Sequence, residues 1–339
     1  NYPLKHQTLK YEYTQNMCGI CGFTAKGTMQ ELALMTEAMS HRGPDDKGMW
    51  HDPDKAVFLG HRRLSVIDLA GGVQPMLTPD NALGVVFNGE IYNHIELRDE
   101  LRKKGHIFQS DHSDTEVLLH GYREWGNDLP NLLNGMWAFA IYDRIRNILF
   151  LSRDRFGKKP LFYTRQNNTF AFASELSALT KHPFVEASVS LRSLKKYFAY
   201  GYIPAPSSLY ERIYKLPGGY NMIFNLNDIS VRVWKYWDFV LEPFESVPKN
   251  PEEEWGEQLR DLLRKAVRRR LMSDVPLGVF LSGGIDSSCI TAFAAPNTGG
   301  QRLRTFSIGF QEASFDESEY ARMVAKVFKT DHYSKVLSI

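Results

Sequence analysis

What most constrains this chain is a change of rhythm near residue 241. Ahead of it, apolar residues recur at alternate positions in short runs broken by turns; behind it they recur at helical spacing between short continuous runs. Period two with frequent turns builds antiparallel sheets, whereas helices alternating with buried strands build a parallel one. A chain holding both rhythms must fold as two domains. Its 339 residues allow that, because a single core stops growing beyond about 250–300 residues.

From Cys18 to about Ile223 the pattern predicts strands at Val57 to Gly60, Leu83 to Phe87, Trp137 to Tyr142, Ile148 to Ser152 and Phe170 to Ala173. Asp143 to Asn147 reads as the turn of a hairpin. Helices are expected at Met29 to Ser40, His94 to Lys104 and Asp114 to Trp125, the last capped by Ser113. Many strands with a few helices describe a layered α+β domain. Residues Leu241 to Pro251 carry three prolines and no periodicity, as a linker does. Trp255, Leu259, Leu262, Leu263, Ala266, Val267 and Leu271 then mark one helix, and Pro276 to Leu281 a buried strand. A helix from Ser287, a strand at Arg304 to Phe310, a helix at Asp316 to Phe328 and a last strand at Asp331 to Leu337 complete a parallel α/β pattern. The expected boundaries are an extension at 1–17, a first domain at 18–235, a linker at 236–251 and a second domain at 252–339.

Composition removes several classes of function. A net charge of +2 gives no electrostatic reason for a nucleic-acid or anionic-membrane partner. Arg268 to Arg270 close a helix that begins with acidic residues, so they complement its dipole. No apolar run approaches the ~18 residues of a span, and the first residues lack a secretory core. Three cysteines, Cys18, Cys21 and Cys289, make no disulfide framework. The expectation is a soluble cytoplasmic protein. Residues 1–16 are polar and aperiodic, and Met17 precedes a small residue, so the expected start is Met17 and the mature start Cys18. An α/β pattern that stops on a strand reads as half a domain.

Two stretches carry chemistry. A cysteine at a mature N-terminus has its general base built in: its own α-amine, of reference pKa ~7.7–8.0, can take the thiol proton. Attack on an amide carbon would then give a thioester and release ammonia. Asn88-Gly89-Glu90, at a strand end, offers an amide side chain and a close backbone N–H for the developing oxyanion. Arg63 could clamp the α-carboxylate of glutamine and Asp114 could pair with its α-ammonium. Cys18-Gly19-Ile20-Cys21 is formally C-x-x-C, yet it lacks the remaining ligands of a zinc site, and Cys21 reads as a small core residue on a strand. The second stretch, Leu281-Ser282-Gly283-Gly284-Ile285-Asp286-Ser287-Ser288, is a strand, a glycine turn and a helix start. Backbone amides and hydroxyls there can cradle an anion. It lacks the lysine of the G-x4-G-K-[ST] loop.

Several strings extend the first stretch: Met17-Cys18-Gly19-Ile20-Cys21-Gly22, His41-Arg42-Gly43-Pro44-Asp45, His61 to Asp68, Asn88 to Asn93 and Ser113-Asp114-Thr115-Glu116. In that order they resemble the class II glutamine amidotransferase domain. Arg153-Asp154-Arg155-Phe156-Gly157-Lys158-Lys159-Pro160-Leu161 resembles the form seen in asparagine synthetases. The likeness implies an N-terminal nucleophile fold, an αββα sandwich, with Cys18 as nucleophile and Asn88 and Gly89 as oxyanion hole. Glutamine contacts are implied at Arg63, Leu64, Ser65, Val66, Ile67, Asn88, Gly89, Glu90 and Asp114. That family presents its cysteine at the mature N-terminus, so residues retained ahead of Cys18 should abolish the activity.

The second stretch resembles the pyrophosphate loop of N-type ATP pyrophosphatases. It implies ATP contacts at Leu281, Ser282, Gly283, Gly284, Asp286, Ser287, Ser288 and Ile308, with Asp286 on Mg2+, in a partial parallel-sheet domain. The order of the two parts resembles the glutamine-hydrolysing asparagine synthetases. Implied partners are glutamine, aspartate and ATP, with a homodimer, and neither nucleic acid nor membrane. A second phosphate-contacting stretch of that family, of Ser-Gly-Glu-Gly type, does not occur in these residues. Two other readings stand beside it. One is a related ATP-dependent amidotransferase acting on another carboxylate, such as a cell-surface sugar acid, which sequence beyond Ile339 would discriminate. The other is a glutamine- or ATP-binding regulator, which predicts binding without turnover.

Overall fold

The computed structural model describes residues 17–243, 246–312, 314 and 316–338. The sixteen residues ahead of Met17, expected above to be absent from the mature chain, lie outside the described residues. The chain divides into two compact units, Asn1–Asp238 and Phe239–Ile339.

The strands of the first unit are β1 (Gly19–Thr24), β2 (Asp46–Asp52), β3 (Val57–Arg63), β4 (Met76–Leu77), β5 (Leu83–Ile91), β6 (Gly135–Asp143), β7 (Ile148–Arg153), β8 (Phe162–Gln166), β9 (Thr169–Ala173), β10 (Ile213–Lys215), β11 (Tyr220–Asn225) and β12 (Val231–Lys235). Its helices are α1 (Met29–Glu37), α2 (His94–Lys103), α3 (Asp114–Trp125), α4 (Leu129–Leu132), α5 (Leu176–Leu179) and α6 (Leu191–Tyr200). They form two six-stranded antiparallel sheets, ordered β10-β8-β9-β1-β3-β2 and β12-β11-β7-β6-β5-β4. Side chains alternate across each strand, and here both faces are buried. On β6, Ala138, Ala140 and Tyr142 enter the core shared by the sheets, while Trp137, Phe139 and Ile141 enter the core under α2 and α3. On β1, Ile20 faces the other sheet, whereas Cys21 and Phe23 pack under α1. The outcome is the four-layered αββα sandwich.

Local signals account for most of these elements. Thr28 and Glu31 make a capping box at the start of α1. In the β6–β7 hairpin, Asp143 accepts the Arg146 N–H at 2.9 Å, and Asn147 takes a φ of +52°. Ser113 stands at the N-cap of α3, as expected, but its hydroxyl makes no capping bond. Asp114 and Glu116 in the first turn supply the negative charge favoured there.

The second unit contains α7 (Pro251–Arg269), β13 (Gly278–Phe280), α8 (Ile285–Ala294), β14 (Arg304–Phe310), α9 (Ser318–Val327) and β15 (Asp331–Leu337). The three strands pair in parallel, in the order β13-β14-β15. One expectation fails: β13 is not a buried strand. Phe280 is 82% exposed; the buried cluster of this unit, Leu281, Ala321 and Ala325, does not reach over it. Arg268 and Arg269 end α7 opposite Glu252, Glu253 and Glu254, as dipole complementation requires. No helix among the described residues is long and apolar enough to cross a membrane.

Candidate active site and candidate nucleotide loop

Cys18 immediately precedes β1, and its position is set by its backbone. The Arg42 Nε donates to the Cys18 carbonyl at 3.0 Å, and another nitrogen of the same guanidinium pairs with Glu175 at 3.0 Å. The thiol lies against the loop after β3, accepting the Leu64 N–H at 3.4 Å and donating to the Leu64 carbonyl at 3.6 Å. That loop is fixed in turn. Asp45 accepts the Ser65 N–H at 2.8 Å, and Arg63 donates to the carbonyls of Leu69, Ile67 and Asp68 at 2.9, 3.3 and 2.6 Å. Arg63 therefore braces the rim of the site with three N–H donors and has others left for a ligand.

The opposite wall is β5. Its partner β4 pairs only with Gly84 and Val85, so the later residues of that edge have no strand beside them. N–H groups on one edge of a strand alternate, which puts those of Phe87, Gly89 and Ile91 together. Gln74 takes the Phe87 N–H at 2.6 Å, and Asp114 takes that of Ile91 at 3.1 Å. The N–H of Gly89, midway between them, is turned toward the cavity. Only glycine fits there, since a Cβ would lie 2.1 Å from the Met136 carbonyl oxygen. Asn88 is 1% exposed, and neither its amide nitrogen nor its oxygen has a partner among the described residues. Such an orphan demands a reason, because an unmade buried hydrogen bond costs about 1–3 kcal/mol. Behind it, His61 reaches across from β3 to the Phe87 carbonyl at 3.2 Å. Burial pushes its imidazole down to about 3, so it is neutral.

These residues surround one cavity of ≈ 240 Å³. Of the expected set, Cys18, Arg63, Leu64, Val66, Ile67, Asn88, Gly89, Glu90 and Asp114 line it, and Ser65 does not. Met17, Gly72, Gln74, Phe87, Thr115, Met136 and Lys159, to which the sequence assigned no place in the site, line it too. Burial pushes the Asp114 carboxyl up to about 6, against the hydrogen bond from Ile91 and the charge of Arg63. Burial also raises the Cys18 thiol; the Leu64 N–H, Lys159 and Arg63 oppose that, and Asp114 adds to it. Cys21 sits on β1 in the core, pushed up to about 12 by burial, which makes it a packing residue. Cys18, Cys21 and Cys289 are all free thiols, and no cluster of three His, Cys, Asp or Glu among the described residues could hold a metal.

In the second unit the turn after β13 lies at the carboxyl end of the parallel strands, where open α/β sheets bind ligands. Gly283 has a φ of +90°, and a Cβ there would lie 2.5 Å from Tyr320 Cβ. Ser282 Oγ accepts the Gly284 N–H at 3.3 Å and meets Ser287 Oγ at 3.1 Å. Gly284 is the N-cap of α8, and Ser288 Oγ is buried without a partner among the described residues. Leu281, Ser282, Ser287 and Ile308 line a cleft of ≈ 340 Å³; Gly283, Gly284, Asp286 and Ser288 stand outside its lining. A single carboxylate, Asp286 in the first turn of α8, is compatible with Mg2+ that arrives mainly coordinated by phosphates.

Comparison with known proteins follows the same division. A family model described as a glutamine amidotransferase domain matches residues 17–237, and one described as asparagine synthase matches residues 258–339. The glutamine-hydrolysing asparagine synthetase 3 of Bacillus subtilis is 38% identical over 343 residues, covering 95% of this chain and 54% of that protein. The putative glutamine-hydrolysing asparagine synthetase 2 of Methanocaldococcus jannaschii is 37% identical over 339 residues, covering 94% of this chain and 64% of that protein. The chain thus spans between half and two thirds of these relatives' length. A solved structure described as the allosteric regulatory enzyme of purine biosynthesis superposes with a TM-score of 0.52 at 17% identity, covering 94% of this chain and 80% of that one. At that identity the likeness bears on the fold alone.

Proposed function

The chain belongs to the glutamine amidotransferase family, and on that premise we propose that its first unit hydrolyses glutamine to supply ammonia for ATP-driven synthesis of asparagine. The observation that carries the reading is the Cys18 thiol in one cavity with the orphaned Asn88 amide and the Gly89 N–H. Cleavage of the Met17–Cys18 bond frees the α-amine, which takes the thiol proton. The sulfur attacks the side-chain amide carbon of glutamine, and Asn88 and Gly89 donate to the oxyanion. The protonated amine returns the proton to the leaving nitrogen, so ammonia departs and a thioester remains. Water then releases glutamate. Asp114 faces the α-ammonium, Arg63 the α-carboxylate, and Leu64 to Ile67 with Glu90 close around the substrate. In the uncleaved chain the Met17 side chain stands in the same cavity, so its removal both creates the base and clears the pocket.

The second unit takes part in the acceptor chemistry. There Ser282 to Ser288 would hold the pyrophosphate of MgATP, with Asp286 available to the Mg2+ and the backbone at Leu281 and Ile308 near the nucleotide. The β-carboxylate of aspartate attacks the α-phosphorus, pyrophosphate leaves, and ammonia displaces AMP from β-aspartyl-AMP. Aspartate is favoured over other acceptor carboxylates by the asparagine synthase match to residues 258–339. A cytoplasmic homodimer fits this chemistry. The division of labour is tested in the full-length synthetase carrying these residues. Cys18→Ala should abolish glutamine-dependent asparagine formation and spare the ammonia-dependent reaction. Asp286→Ala should abolish asparagine formation from either nitrogen source and leave glutamate release intact. Loss of the ammonia-dependent reaction in Cys18→Ala, or of glutamate release in Asp286→Ala, would refute it.

A further inference from the structure

The Arg153 to Leu161 segment has no part in the chemistry above, yet it is among the most tightly held loops of the unit. Arg153 donates to three carbonyls, those of Lys159 at 2.7 Å, Leu216 at 2.5 Å and Gly157 at 2.6 Å. The Asp154 carboxylate collects four backbone N–H groups, those of Phe156, Lys158, Lys159 and Trp137, at 2.9–3.2 Å. Gly157 turns the loop with a φ of +63°. All this fixes the backbone of one residue whose side chain enters the thiol cavity. Lys159 is 7% exposed, and its ammonium contacts the Met17 sulfur at 3.3 Å, a weak acceptor. A buried ammonium so poorly served needs an anion.

We propose that Lys159 is a positioning residue of the glutaminase site, a fixed cation whose task is to stabilise the thiolate of Cys18. The inference rests on the glutaminase reading above and extends it. Three groups face the thiol: Lys159 and Arg63 favour its anion and Asp114 opposes it. Around Lys159 itself stand Glu90, Cys18 and Asp154 as anions, with Arg42 as the like charge. The cavity therefore sets Asp114 against the thiolate, and Lys159 offsets it. Burial lowers the lysine's own pKa, so its charge is retained at a cost that a nearby anion relieves. While Met17 is present its thioether holds the ammonium; cleavage leaves the lysine facing Cys18.

The test is the pH dependence of Cys18 alkylation by iodoacetamide, read by mass on the Cys18 peptide of the form beginning at Cys18, in a Cys289→Ser background. This readout needs no turnover. Lys159→Met should move the inflection up by about one pH unit, which is about tenfold slower alkylation at a fixed pH below it. Lys159→Gln should agree with it, and Lys159→Arg should keep the wild-type profile. In the form beginning at Cys18, Lys159→Met should lower kcat/KM for glutamine about tenfold at pH 7 with KM little changed. An unmoved alkylation profile in both neutral variants overturns the proposal, as does a loss confined to KM. Absence of hydrolysis by the wild type would instead sink the glutaminase reading, while alkylation still decides the role of Lys159.

Discussion

The two units present their candidate sites in opposite ways. In the first, every wall of the cavity is a strand or a braced loop with a filled core behind it, and burial is the largest cause that moves Asp114, His61 and Cys18 from their ordinary titration ranges. In the second, the serine-glycine loop sits on three strands and a small core, with Ile285 83% exposed beside it. The difference teaches that the two chemistries ask for different things. A thiol nucleophile needs a dry, preorganised enclosure that donates to a developing anion. A polyphosphate brings its own charge and metal, and asks of the protein mainly backbone amides at a helix start.

That contrast makes graded predictions. The largest effect belongs to Trp137, fully buried under α2 and α3 with its indole N–H on Ser152 at 3.0 Å. Trp137→Ala should cost about 3–5 kcal/mol in urea unfolding of the first unit; a loss below about 1 kcal/mol would break the account of the layered core.

Next is Asp114, whose sign can be worked out. Its carboxyl rises from 3.8 to about 6 in the fold, so the protonated form is the one folding favours. The stability this contributes is fully present below pH ~4 and is lost as pH rises through about 6. Asn mimics the protonated carboxyl, so Asp114→Asn should be more stable than wild type by about 1–3 kcal/mol at pH 8 and equal to it near pH 3.5. The same variant should lose glutamine hydrolysis, and in the wild type KM for glutamine should climb as pH falls through 6. A gain over wild type no larger at pH 8 than at pH 3.5 would show that the carboxylate is not penalised. The smallest effect belongs to Phe280, where Ala should change unfolding by less than about 0.5 kcal/mol; a larger loss would mean that the sheet face is covered.

The sequence reveals the first unit unevenly, for physical reasons. Strong alternation made β5, β6 and β7 visible, and Asp114–Trp125 had helical spacing with acidic residues at its start. Strands β4 and β10, of two and three residues, were too short to show a period. Asn88 and Gly89 were legible as an amide and a glycine in the Asn88 to Asn93 string, although they lie within β5 rather than at its end. Gln74 and Met136 were not, since one reaches the cavity through its side-chain bond to the Phe87 N–H and the other through pairing with Glu90 across the sheet. Lys159 was quoted in a motif without a role, because only the folded Arg153 and Asp154 network shows where it points. Phe280 misled the reading: an apolar run predicts a buried strand only when layers are available to cover it.

The most direct measurement is the rate of glutamate release from glutamine by the chain beginning at Cys18, beside the chain that retains Met17, with the N-terminus of each verified by mass. Release by the Cys18-first form alone, abolished by Cys18→Ala, is the expected result. Equal release by both forms, or release that survives Cys18→Ala, would contradict an N-terminal thiol nucleophile in this cavity.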